Sequence, residues 1–290
     1  MIASWHVILY YAHYILLTSV FTIIMKKCFC LLFLMFSGQL FAQETFWELG
    51  VGGTAAQLPL YPGSSQEDNF VIPFPFFRIQ SEYFEIDEGI RGFFYESPDI
   101  RLNVSGDFGI PVNSADSEAR KGMPDLNTVL QVGPSLEVIF AGGRRKPSEF
   151  RLELPLRAAI ATDISNTENI GWILEPRLTY ETLRPYKGGF AYQISSGLRY
   201  ASKEFNQFYY DVPVAFATPE RPAFESDAGY SGYFLDLVGN WRYDNIIYFT
   251  FARYQNLSGT EFEESPLVED ENYLSFGVGL IWVFTGSHFK

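Results

Sequence analysis

The chain has 290 residues, 47% hydrophobic and 18% aromatic with 28 Phe and 18 Tyr, which suits a single all-β domain with aromatic surfaces better than an ordinary soluble domain. A formal net charge of −13 argues against a nucleic-acid partner. Both cysteines (Cys28, Cys30) and two of the three histidines (His6, His13) lie in the first 30 residues and only His288 lies beyond, so the rest of the chain lacks the material for Cys/His zinc sites, disulfides, thiol nucleophiles or a Ser-His-Asp triad.

The N-terminus is apolar in two blocks, Ile2 to Ile24 and Cys28 to Phe36, separated by Met25-Lys26-Lys27. The second block has the basic start, short apolar run and small residues (Ser37-Gly38, Ala42) of a secretory signal peptide, predicted over 25–42. Leu40 fits the −3 position of that cut less well than a small residue. The first block reads as upstream sequence translated from a mis-assigned start, the alternative being a membrane helix. The expected organisation is therefore a leader over 1–42 and one domain over 43–290. No later run of 18 or more uncharged apolar residues exists, so a mature chain in a membrane would cross it with strands.

Period-two alternation then marks strands at 44–55, 69–79, 82–87, 89–96, 100–110, 129–140, 149–161, 171–181, 189–202, 230–242, 246–257 and 272–284. The clearest is Arg151 to Ile160, where Leu152, Leu154, Leu156, Ala158 and Ile160 share one face and Arg151, Glu153 and Arg157 the other. Alternation alone leaves open whether the apolar face looks into a soluble sandwich or out to lipid. Parity favours lipid. Twelve strands is an even number, most are near the ~9–11 residues that cross a bilayer at a tilt, and long connections (56–68, 111–128, 162–170, 203–229, 258–271) alternate with short ones, apart from a tight hairpin at Asp87-Glu88. The expected fold is an all-β transmembrane antiparallel β-barrel of about 12 strands following a signal peptide, as in a Gram-negative cell outer membrane.

Charge divides the same way. The long connections are acidic (Glu67, Asp68, Asp116, Glu118, Glu261, Glu263), whereas the short turns hold Arg144-Arg145-Lys146, Arg184 and Lys187. The acidic rim suits cation bridges to outer-membrane lipid, although a plain solvated surface is the simpler reading. The closing strand presents Leu274, Phe276, Val278, Leu280, Trp282 and Phe284 on one face; either Phe284 or Phe289 serves as its terminal aromatic. Tyr61-Pro62-Gly63 reads as a β-turn and Met123 as packed into the barrel mouth, while Pro73 and Pro75, lacking N–H groups, should bulge their strand. Phe205, Phe208, Tyr209 and Tyr210 suit an aromatic girdle or a folded loop better than a ligand pocket.

Several connecting segments resemble one family in order along the chain: Leu58-Pro-Leu-Tyr-Pro-Gly-Ser64 with Ile72-Pro-Phe-Pro-Phe-Phe77; Gly122-Met-Pro-Asp-Leu126 with Val132-Gly-Pro-Ser135; Phe208-Tyr-Tyr-Asp-Val212 with Ala217 to Phe224 and Gly229-Tyr-Ser231; and Leu257-Ser-Gly259 with Ser265-Pro-Leu-Val268. They resemble the MipA/OmpV family of outer-membrane proteins. That resemblance implies a barrel and, for some members, a scaffold role with a murein lytic transglycosylase and a peptidoglycan synthase. It supplies no catalytic residues.

Three function classes follow. A structural or scaffold protein needs a face for a periplasmic partner, for which Arg144, Arg145 and Lys146 are the candidate contact. A small passive, porin-like solute channel needs a lumen left open, yet inward Arg, Glu and Tyr side chains or a folded 203–229 loop would fill a barrel of this size. An enzyme is the least favoured: without histidine, no paired carboxylates stand out by spacing, and no catalytic, cofactor-binding or metal-binding residue is singled out.

Overall fold

The computed structural model describes residues 46–290 apart from 81–83, 87–89, 93–94, 144–145, 164, 183–188 and 288–290. The expected leader, 1–42, and Phe289 therefore lie outside the described residues.

The remaining chain forms one antiparallel sheet that curls on itself. Its strands are β1 (Phe46–Pro59), β2 (Glu67–Gln80), β3 (Phe84–Ile86), β4 (Ile90–Gly92), β5 (Tyr95–Glu96), β6 (Ile100–Gly109) and β7 (Thr128–Gly142). They continue as β8 (Ser148–Thr162), β9 (Thr167–Leu174), β10 (Arg177–Thr182), β11 (Gly189–Ala201), β12 (Gly229–Tyr243), β13 (Ile246–Asn256) and β14 (Asn272–Gly286). The ends of the chain meet where β1 pairs with β14, from Glu48↔Gly286 to Gln57↔Phe276. Closure is completed by β4, which pairs with β3, and β5, which pairs with β6 at Arg101 and Leu102.

Fourteen segments make twelve lanes, the number read from the alternation, because β4 and β5 share the lane between β3 and β6 and a second pair of segments shares another. The predicted strand 171–181 is two pieces, β9 and β10, which share the lane between β8 and β11. The break falls at Glu175-Pro176, where proline has no N–H for the ladder and the Glu175 side chain is buried in the lumen. The predicted long connection 162–170 shrinks because β8 and β9 keep pairing as far as Thr162↔Thr167. Proline acts differently in β2: the expected bulge is absent, and the ladder with β1 runs from Phe46↔Gln80 to Pro59↔Glu67 without a register shift. On its other side β2 pairs, among the described residues, only at Ile79 and Gln80, so Pro73 and Pro75 remove donors from a side with no ladder to break.

Burial settles which face of the alternation looks inward. In β8 the charged residues Glu149, Arg151, Glu153 and Arg157 are buried, while Phe150 and Leu156 are exposed. A soluble sandwich would show the reverse. The outer surface carries Leu130, Val132, Leu178, Ile194, Leu237 and Val278 as an apolar band. Next to the short turns lies an aromatic belt, with Phe140 against Phe150 (5.6 Å between ring centroids), Tyr180 against Tyr192 (6.0 Å) and Trp241 against Tyr248 (5.8 Å). Trp172, Tyr200 and Tyr254 lie toward the other rim. An apolar band between aromatic belts is the surface of a membrane-spanning barrel. All six outward residues expected in the closing strand are exposed, and Phe284 is its aromatic near the end of β14.

Inside, the β13-β14-β1-β2 side of the wall packs aromatic rings over glycines. A Cβ on Gly277 would stand 2.5 Å from the Phe251 ring, and one on Gly279 would stand 2.3 Å from that of Phe249, so these positions are kept free of side chain for the neighbouring strand's phenylalanines. Closure predicts heat-modifiable migration: unboiled protein should run faster than boiled protein on a denaturing gel, and unchanged migration would be incompatible with a closed barrel.

Candidate functional site

The lumen is filled from both ends by different chemistry. Toward the short turns, the register Arg101↔Glu137, Glu137↔Glu153 and Glu153↔Arg177 sets four charged residues in one row across β6, β7, β8 and β10. Residues directly opposite one another in a sheet have Cβ atoms about 5 Å apart, which places these groups within salt-bridge reach. Arg101 pairs with Glu137 at 2.8 Å and also with Glu149, and Arg177 pairs with Glu153 at 2.7 Å. Arg151, fully buried, joins the set by meeting Glu149 (3.1 Å), Glu153 (2.9 Å) and Glu181 (3.0 Å). Further along the lumen, Glu175 binds Arg157 and, at 2.7 Å, Arg199, while Arg253 meets Asp236 at 2.6 Å. On the opposite wall Arg242 holds Glu48 at 2.7 Å.

At the other end the long loops fold over and into the mouth. Ser202 precedes a short helix, α1 (Lys203–Tyr210), which buries Phe205, Asn206, Tyr209 and Tyr210. The aromatic cluster noted in the sequence thus forms a folded loop within the barrel rather than a girdle. Tyr210 stacks on Phe262 of the 257–271 loop at 3.7 Å and 9°. Tyr61 turns inward on the predicted β-turn, where the Ser64 amide donates to the Tyr61 carbonyl (3.0 Å) and Gly63 has φ +89. Its hydroxyl donates to the Leu267 carbonyl at 2.9 Å. Met123 is buried in the same cluster, as its motif suggested.

Two arginines that sequence reading did not single out tie the loops together. Arg120 donates to the carbonyls of Tyr209 (3.0 Å) and Pro124 (3.2 Å) and lies over the Tyr61 ring at 5.7 Å. Arg221 donates to the carbonyls of Ala119 (2.7 Å) and Phe216 (2.7 Å). Their signal was slight: each is the single arginine of a long connection, and most of what they bind is backbone. Burial lowers the Arg120 guanidinium below its usual range against the opposing pull of Tyr61, and burial raises the hydroxyls of Tyr61, Tyr209 and Tyr210 well above theirs.

Between plug and charged row lies a cavity of about 530 Å³, bounded by Phe205, Tyr209 and Tyr210 above and by Arg199, Asp236 and Arg253 on the wall. It is within the size range of small-molecule sites. Among the described residues no group of three or more His, Cys, Asp or Glu is placed to hold a metal. Of the expected partner contacts, Arg144 and Arg145 lie outside the described residues, as do Arg184 and Lys187. Lys146 is exposed on the short turn, its amide donating to the Gly143 carbonyl at 2.7 Å.

Inverted burial, aromatic belts and a lumen closed by loops define a plugged transmembrane β-barrel. The chain belongs to the family described as MltA-interacting protein MipA, whose model matches residues 49–284. No curated protein matches it. Among solved structures it is similar to the NanC porin in a rhombohedral crystal form, at 8% identity and TM-score 0.35 over 81% of this chain and 98% of that one. It is also similar to the CymD monoaromatic hydrocarbon channel, at 9% identity and TM-score 0.32 over 85% and 90%. At these scores the likenesses add nothing to the fold shown by the strand pairing itself.

Two outcomes follow. Arg151→Ala would leave Glu149, Glu153 and Glu181 facing one another in the lumen, and loss of one partner from a buried ion-pair set costs about 3–5 kcal/mol. The temperature at which the unboiled band is lost should fall accordingly. Because the folded plug favours neutral Tyr61, Tyr209 and Tyr210, their contribution is complete below the ordinary tyrosine pKa of about 10 and is lost above it. Limited proteolysis within 203–229 should therefore quicken above that pH while the barrel band persists; equal protection at both pH values would contradict the assignment.

Proposed function

We propose that this chain is a non-catalytic outer-membrane barrel that serves as a scaffold. Its short turns face the periplasm and its long loops the outside. The observation that carries this reading is the filled lumen: a loop plug at one end and ion pairs at the other suit a barrel that holds a position in the membrane more than one that passes solutes. The family description, MltA-interacting protein, supports a murein lytic transglycosylase as the partner; a peptidoglycan synthase is the second partner in this reading. The turn around Arg144, Arg145 and Lys146 offers a basic contact to an acidic protein face or anionic murein. Asp and Glu on the long loops reach the anionic head groups of outer-membrane lipid through bridging divalent cations.

The cavity of about 530 Å³ favours a second reading, a narrow solute channel whose plug opens. Planar-bilayer conductance separates the two. The scaffold reading expects a silent, correctly folded barrel, and reproducible conductance steps would replace it with the channel. Replacing Arg144, Arg145 and Lys146 together by alanine should reduce recovery of murein-linked protein severalfold without altering heat-modifiability; undiminished recovery would rule out that contact.

A further inference from the structure

The cavity beneath the plug has two kinds of surface. Phe205 and Tyr209 of α1 and Phe262 of the 257–271 loop bring aromatic rings to one side, while Gln193, Arg199, Asp236, Arg253, Gln255 and Tyr273 bring polar groups from β11, β12, β13 and β14 to the other. Strand register builds the polar side: Asp236 is opposite Arg253, Arg253 opposite Ser275, and Gln255 opposite Tyr273. Leu60, Pro62 and Ile110, half-buried at the loop rim, line the cavity as well, so it rises toward the long-loop end of the barrel.

Charge and hydrogen-bonding capacity together narrow what this space can hold. The Arg199 Nε donates to Glu175 (2.8 Å), Arg253 donates to both oxygens of Asp236 (2.6 and 2.9 Å), and Arg157 meets Asp107 (3.3 Å) and Glu175. Three guanidinium groups thus face three carboxylates, which leaves no surplus positive charge for an anion. Hydrogen-bonding capacity, by contrast, is left over. Both Arg199 and Arg253 engage their carboxylates through Nε and Nη2, so Nη1 of each has no partner among the described residues. The hydroxyl of Tyr273, a residue only 6% exposed, has none either. A buried hydroxyl without a partner is costly, and its place on a cavity wall marks a position for a polar ligand atom. Acceptors are present too, since Asp236 has lone pairs beyond the two that Arg253 uses and the Gln193 and Gln255 amides each carry a carbonyl.

We propose that the cavity binds a small neutral saccharide, its C–H faces against Phe205, Tyr209 and Phe262 and its hydroxyls on Arg199, Asp236, Arg253 and Tyr273. A sugar ring is apolar on its faces and carries around its edge hydroxyls that both donate and accept. It therefore matches a wall that is aromatic on one side and, on the other, offers donors and acceptors with no net charge. The volume of about 530 Å³ takes a mono- or disaccharide. The proposal does not depend on the partner at the short turns, and a silent or a conducting barrel leaves it standing.

The test is saturation-transfer NMR on the protein purified from membranes in a detergent without a sugar head group, with glucose, N-acetylglucosamine and maltose as separate probes and gluconate as the anionic comparison. Irradiating the aromatic protons should transfer saturation to the ring C–H groups of at least one neutral sugar. Tyr273→Phe removes only the hydroxyl and should weaken that sugar's affinity about tenfold. Ser275→Trp, which fills the cavity from β14, should abolish binding. Heat-modifiable migration reports whether each variant has folded, and should the tryptophan variant not fold, Tyr273→Phe decides alone. No transfer to any of the three sugars, or transfer undiminished in Tyr273→Phe, would overturn the proposal, and gluconate bound more tightly than every neutral sugar would overturn the assignment of a neutral ligand.

Discussion

Charged side chains on a membrane-facing strand are expensive, about 2–4 kcal/mol for Arg or Lys at the bilayer midplane, and this chain has many in its strands. Period-two geometry offers one remedy, which is to turn the charged residues to the lumen and keep the face toward lipid apolar. Once inside a narrow barrel the charges must find partners, since an isolated buried ion costs far more than a paired one. The strand register provides those partners by setting Arg101, Glu137, Glu153 and Arg177 in a row, with Arg151 between glutamates. The aromatic belts and the closed sheet presuppose this inversion, and the glycine-backed phenylalanines are its exception on the β13-β14-β1-β2 side.

The long loops solve a second problem. A barrel mouth of this width would otherwise hold water against exposed backbone, and the loops occupy it with a compact cluster that resembles a small soluble core. Tyr61, Met123, Tyr210, Phe262 and Leu267 come from four separate connections, and only their convergence buries them. Arg120 and Arg221 satisfy carbonyls that the loops cannot pair among themselves, so polar bonds fix the loop paths while aromatic packing supplies the apolar burial. The plug and most of the wall are thus built on opposite rules, apolar inward in the one and charged inward in the other.

This inversion explains what was legible in the sequence. Alternation in 149–161 and 272–284 marks strands wherever one face is polar and the other apolar, and the parity of connection lengths points to a membrane barrel. The break at Glu175-Pro176 was not visible, because a proline within an alternating run is equally compatible with an edge; β2 tolerates two of them. Loop packing was legible only where a motif forced a conformation, as at Tyr61-Pro62-Gly63. The roles of Arg120 and Arg221 depend on contacts with residues about ninety or a hundred positions away, which local pattern does not encode. The ion pairs were half visible: inward parity marks Arg151 and Glu153, but which carboxylate meets which guanidinium depends on strand stagger.

The row of charges has one more consequence, for assembly. Arg101, Glu137, Glu153 and Arg177 come from separate strands and meet only when all of those strands hold one stagger. A slip of one residue would turn a whole strand over and send its guanidinium or carboxylate into lipid. The row therefore proofreads the alignment of the sheet, so that a wrongly threaded barrel is penalised before it closes.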